Sequence, residues 1–142
     1  MTKTTFQLGT EEEKKEIFCV DFDHEDKFLA VGVADGTLYI YNLQAGKLVQ
    51  TITYQNSDTN EMARLMSVKW RRTNYTSDSG SVRNQSMVMC AYSDGVINEY
   101  ISPLGKLNST FNEKNQTFVL DVDPIEEKFC TAGQDHVVRV YD

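Results

Sequence analysis

Ala34-Asp35-Gly36-Thr37-Leu38-Tyr39-Ile40-Tyr41, Ser93-Asp94-Gly95-Val96-Ile97-Asn98-Glu99-Tyr100 and Gln134-Asp135-His136-Val137-Val138-Arg139-Val140-Tyr141 are three versions of one phrase. Each is an Asp-centred turn that opens a strand ending in tyrosine. A strand also precedes each turn: Phe28 to Val33, Met87 to Tyr92 and Lys128 to Gly133. A turn that recurs with strands on both sides predicts an architectural repeat, and the repeat decides the fold. Asp-Gly is the dipeptide of a two-residue hairpin, in which both central residues take positive φ. His136 replaces the glycine in the third turn, a costlier choice, so that hairpin is expected to be the least regular.

The same register extends outward from each turn. Gly32, Ala91 and Ala132 are small residues at one common position, which predicts close approach of neighbouring chain. Leu38-Tyr39-Ile40-Tyr41 is apolar on both faces, as in a sheet packed between two others. Eleven residues past the Asp stand Gly46-Lys47 and Gly105-Lys106, each followed by a further strand, Leu48 to Ile52 and Leu107 to Phe111. One more strand precedes each unit: Val20 to Phe22, Val68 to Trp70 and Leu120 to Val122. The Asp-to-Asp intervals are 59 and 41 residues. Two loop insertions absorb the difference, 11 residues between Trp70 and Met87 and seven between Ile52 and Val68. The underlying period of 41 is that of a four-stranded blade. Helical periodicity is absent, except for a short turn expected within 11–18.

With these elements the chain resembles the WD-repeat (Trp-Asp repeat) β-propeller family over essentially its whole length. The dipeptide that names the family reads Tyr41-Asn42, Tyr100-Ile101 and Tyr141-Asp142 here, so the repeats are divergent. The expected fold is all-β, a partial β-propeller of three four-stranded antiparallel blades: a half-propeller, or part of a larger ring. Residues 1–142 form one domain, with blade strands at about 17–53, 65–111 and 118–142. In propellers of this family the outer strand belongs to the preceding blade, which makes 3–8 an outer strand of a neighbouring blade. Three blades are too few to close a ring, since propellers use four to eight. The resemblance therefore implies either a piece of a longer propeller or two copies closing head to tail.

Composition narrows the functions. A net charge of −7 argues against nucleic acid and anionic membranes as partners. No run is apolar for long enough to span a bilayer, and the polar start is unlike a signal peptide. Three widely spaced cysteines, Cys19, Cys90 and Cys130, read as buried free thiols of a cytoplasmic protein. The four N-x-Ser/Thr triplets, at Asn74, Asn84, Asn108 and Asn115, read as chance matches.

No nucleophile, base and acid assemble from sequence neighbours, so no catalytic residue, metal ligand or cofactor site is assigned. The acidic run Asp21, Asp23, His24, Glu25 and Asp26 aligns with Asp123 to Glu127 and reads as a solvated turn. Glu99 stands where the sister repeats have Ile40 and Val140, so it needs a cation, a hydrogen-bond donor or water, in a structural ion pair or on a locally exposed strand. Asp35, Gly36, Asp94, Gly95 and Asp135 are expected to hold the turns. Between Arg64 and Arg83, five basic residues meet one acidic residue. Arg64, Arg71, Arg72, Tyr75 and Arg83 are thus the expected partner-binding set, suited to an acidic peptide. The Ser/Asn/Gly content between Asn74 and Ser86 equally describes a disordered loop without a partner. The implied role is a non-enzymatic scaffold for protein–protein interaction. The alternative is a structural assembly subunit whose half-propeller closes by homodimerisation or with a complementary half.

Overall fold

The computed structural model describes residues 1–10, 12–56, 58–76, 79–102, 104–123 and 127–142, with backbone alone for 73–76 and 82–84. The described residues form three antiparallel sheets and no helix. Sheet one runs in the order β1 (Ile17–Phe22), β2 (Phe28–Val33), β3 (Leu38–Asn42) and β4 (Lys47–Ile52). Sheet two is β5 (Leu65–Thr76), β6 (Val82–Tyr92), β7 (Val96–Ile101) and β8 (Lys106–Asn112). Sheet three has β9 (Thr117–Val122), β10 (Phe129–Gly133) and β11 (Val138–Tyr141). These are the blades of a partial propeller, stacked face to face without closing.

Alternation along the strands builds the stack. On β6, Val88, Cys90 and Tyr92 point to blade 1 and join Ala30, Leu38, Ile40, Leu65, Val68 and Trp70 in one buried cluster. The intervening Met89 and Ala91 point the other way, meeting Leu120 and Phe129 of blade 3. A period of two with apolar residues in both phases is what a sheet buried on both faces requires. The small residue at position 32 now has its reason. A Cβ on Gly32 would lie 2.6 Å from Leu65 Cγ of the next blade and 2.5 Å from Cys19 Sγ.

Three expectations change. The hairpin turns are not two-residue turns with both central residues at positive φ. Gly36 N–H donates to Val33 C=O at 3.1 Å, and Val33 N–H to Thr37 C=O at 3.2 Å. Positive φ falls on Gly36 (87°), Gly95 (90°) and His136 (64°) and on none of the three aspartates. Each loop is therefore three residues long, closed by a left-handed residue, which leaves Asp at an ordinary φ with its carboxylate available for bonding.

The turn expected within 11–18 is also absent from the described residues. Gly9 bridges to Lys14 and β1 begins at Ile17; Glu11 lies outside the described residues. Finally, the insertion after Trp70 is no loop. β5 and β6 stay in register from Arg71↔Met87 to Thr76↔Val82, forming a two-stranded ribbon.

Residues 3–8 pair with no strand among the described residues. Phe6 and Leu8 instead pack on the far face of blade 1, against Val31, Val33 and Tyr41. The rings of Phe6 and Tyr41 are 4.4 Å apart.

Candidate interaction surfaces

The three turn aspartates share one bond and differ in the other. Oδ1 accepts the N–H two residues on in every case: Thr37 at 3.0 Å, Val96 at 3.0 Å and Val137 at 3.2 Å. Oδ2 of Asp35 takes Lys15 Nζ at 2.7 Å. Burial works to raise the Asp35 pKa, but the bonds from Lys15 and Thr37 outweigh it and hold the carboxyl below its usual range. Asp94 Oδ2 accepts Tyr54 Oη at 2.7 Å and Asn56 Nδ2 at 2.9 Å, so the linker into blade 2 is tied to that turn. Asp135 is bonded to Arg139 of its own strand, which holds its pKa low. All three are fastening points within the fold.

Glu99 meets the cation it needs. Arg71 Nη1 lies 3.7 Å from Glu99 Oε2, while Asn108 Nδ2 donates to Oε1 at 2.9 Å. The guanidinium of Arg71 also stands over the Phe129 ring at 5.8 Å. Arg71 thus joins blade 2 to blade 3. Removing one partner of so enclosed a pair typically costs about 3–5 kcal/mol.

The structure divides the expected basic set. Arg64 is exposed at the start of β5, where its backbone is bracketed by Ser93. Arg72 is exposed eight residues further on, roughly 26 Å away along an extended strand. Lys69 pairs with Asp121 of blade 3 at 3.5 Å. Tyr75 and Arg83 are opposed in the ribbon register, and their side chains lie outside the described residues.

The acidic run is a turn in which His24, Glu25 and Asp26 are exposed, while Asp21 and Asp23 bond within the fold. Asp23 is buried and its Oδ1 accepts the N–H groups of Lys27 (2.7 Å) and Phe28 (3.0 Å). Asp21 Oδ2 accepts Trp70 N–H at 2.9 Å, and Trp70 Nε1 donates to Asp21 C=O at 3.0 Å, latching blade 1 to blade 2. Asp123 caps its own turn through Lys128 N–H at 3.2 Å; residues 124–126 lie outside the described ones. Among the described residues no three His, Cys, Asp or Glu gather as metal ligands. Among the described residues there is no helix long and apolar enough to cross a membrane.

Two features escape a reading by residue type alone. Each inner strand carries a bulge at the same register, where Phe18, Met66 and Phe118 are the extra residues. These three line one open groove of about 670 Å³ along the inner edges of β1, β5 and β9. Bulges re-aim side chains and recur at functional rims. Aligning Phe18-Cys19-Val20, Met66-Ser67-Val68 and Phe118-Val119-Leu120 displays the pattern, but the extra residue shows only once the pairing is known.

The second feature is the bare flank of blade 3. Val138 and Val140 are 68% and 66% exposed, whereas Leu38 and Ile40, their counterparts in blade 1, are 0% and 1%. Asp121 and Val119 share that flank, in the register of Asp21 and Cys19.

The comparisons with known proteins agree with this architecture. The profile of the family described as the Anaphase-promoting complex subunit 4 WD40 domain matches residues 2–73. A chain in the crystal structure of the mitotic checkpoint complex superposes with a TM-score of 0.73 at 18% identity. That match covers 94% of this chain and 37% of the other, so this chain spans little more than a third of that protein's length. At such identity the likeness is one of fold. No curated protein sequence matches the chain.

Proposed function

The chain belongs to the WD-repeat family, and from that premise we propose that it is a non-enzymatic scaffold whose work is protein–protein interaction. The observation that carries this reading is the β5–β6 ribbon. β5 has 12 residues where β1 and β9 have six, so the ribbon projects roughly 20 Å beyond the blade body. It carries Arg72 and Arg83 on a chain of net charge −7. Such a projection suits an acidic segment of a partner protein, with Tyr75 as an anchor. Arg64 is a separate contact at the other end of β5, and Arg71 acts indirectly by holding the base of the ribbon. Three free thiols support a cytoplasmic setting.

A fluorescent glutamate-rich peptide tests this reading. The native chain binds it, and the Arg72→Glu/Arg83→Glu variant binds at least about tenfold more weakly, the equivalent of about 1.4 kcal/mol. Equal affinity removes the ribbon as the acidic-partner site. Arg71 is left unchanged because its loss would expose Glu99 to an unpaired state.

A second reading, closure of the half-ring on a second copy, is favoured by the flanks. The far face of blade 1 (Val31, Val33, Tyr41) repeats the face that blade 2 (Cys90, Tyr92, Tyr100) shows to blade 1. It therefore matches the bare flank of blade 3 once Phe6 and Leu8 are displaced. Two half-rings give six blades, within the usual range. Light scattering at low micromolar concentration would show a dimer that Val138→Lys/Val140→Lys returns to monomer. A monomeric native chain rejects self-closure, and a dimer insensitive to the substitutions places the contact elsewhere.

A further inference from the structure

We propose that the outer edge of the ribbon, residues 82–85 of β6, is a strand-addition site for an extended acidic peptide. This rests on the acidic-partner reading above and gives its mode of binding. β6 is paired along its whole length on the β5 side. On the other side β7 pairs only with Met87 to Ala91, and Ser102 N–H adds one bond to Ser86 C=O at 3.0 Å. Gln85 Nε2 reaches Ser102 C=O and closes the corner where β7 stops. Past that corner, among the described residues, no strand lies beside 82–85. Alternation in an antiparallel ladder then directs half of their N–H and C=O groups to the open side.

Among the described residues, blades 1 and 3 have no such two-stranded extension. Their inner strands are short: β1 ends at Phe22 and β2 starts at Phe28, while β9 ends at Val122 and β10 starts at Phe129. Two strands without a third are marginal in water, so an added strand stabilises both the ribbon and itself through main-chain bonds.

Charge selects the occupant. An arginine on an edge strand repels the same edge of another copy, the usual defence against self-pairing. The same charge attracts a strand rich in Asp or Glu, and cross-strand pairs of opposite charge stabilise the ladder. Arg83 sits within the edge, and Arg72 lies across from Ser86 at its base. The incoming segment would run in line with β7, extending that strand's row past Ile101.

An eight-residue peptide alternating Glu with Val or Thr is the probe, titrated against the full chain. Asn84→Pro and, separately, Gln85→Pro each remove one backbone N–H of β6, and alternation puts one of the two on the open side. Trp70 emission reports whether the blades remain folded, because that indole is buried between blades 1 and 2. Strand addition predicts that the peptide slows amide exchange at 82–85 and that one proline variant weakens binding about tenfold or more with Trp70 emission unchanged. If the peptide binds without protecting those amides and both proline variants bind normally, strand addition is overturned while the acidic-partner reading stands. If Arg72→Glu/Arg83→Glu also leaves affinity unchanged, or the native chain does not bind, both are overturned.

Discussion

The two outer faces of the stack are built from the same repeat and have opposite fates. On blade 1 the chain supplies its own cover: Phe6 and Leu8 lie over Val31, Val33 and Tyr41. On blade 3 nothing among the described residues lies over Val138 and Val140. The difference teaches that a blade's hydrophobic pattern anticipates a neighbour on each side, whether or not one is present. Val138 and Val140 occupy positions that their repeat equivalents bury against the next blade. Exposed apolar faces of this kind mark interaction surfaces in folded proteins.

The sharpest test places one substitution in both blades. Leu38→Asp buries an unpaired carboxylate between blades 1 and 2 and is expected to cost about 4 kcal/mol or more. Val138→Asp, at the same register of blade 3, is expected to change stability by less than about 0.5 kcal/mol. Urea melts of the two variants would break the comparison if their losses were equal.

A smaller effect measures the cover on blade 1. Phe6→Ala removes a half-buried ring from Tyr41 and is expected to cost about 1–2 kcal/mol. An unchanged melt would mean that the segment adds nothing to the monomer.

The smallest effect is a rate. Burial pushes the Cys19 thiol up to about 12 and the Cys90 thiol well above its ordinary range, so both stay protonated at pH 8. Cys130, on the bare side of blade 3, should react first with a thiol reagent. Protection of Cys130 at high protein concentration would sharpen the comparison by showing that the flank becomes covered. Faster labelling of Cys19 or Cys90 would contradict the packing of blades 1 and 2.

Much of the fold was legible because it depends on short-range patterns. Asp35, Asp94 and Asp135 announced their turns, and the two-faced apolar strands announced stacked sheets. The exact turn geometry was not legible, since Asp-Gly suits both a two-residue hairpin and the three-residue loop found here. The basic run between Arg64 and Arg83 was visible as composition, but a strand separates its ends and neighbouring blades claim its middle. Arg71 turned inward to Glu99 because a buried carboxylate at that position needs a cation within reach. The ribbon was hidden because Ser-, Asn- and Gly-rich sequence is as common in loops as in exposed hairpins.

The sequence by itself determined the repeat, its period and the residues that close each turn, because these follow from backbone sterics and from alternation along a strand. Only the tertiary structure decided which apolar faces found cover, which arginine turned inward to pair with Glu99 and how far β5 runs past its blade. Those outcomes depend on contacts between residues distant in the chain, where burial and charge pairing are settled by what lies on the opposite sheet.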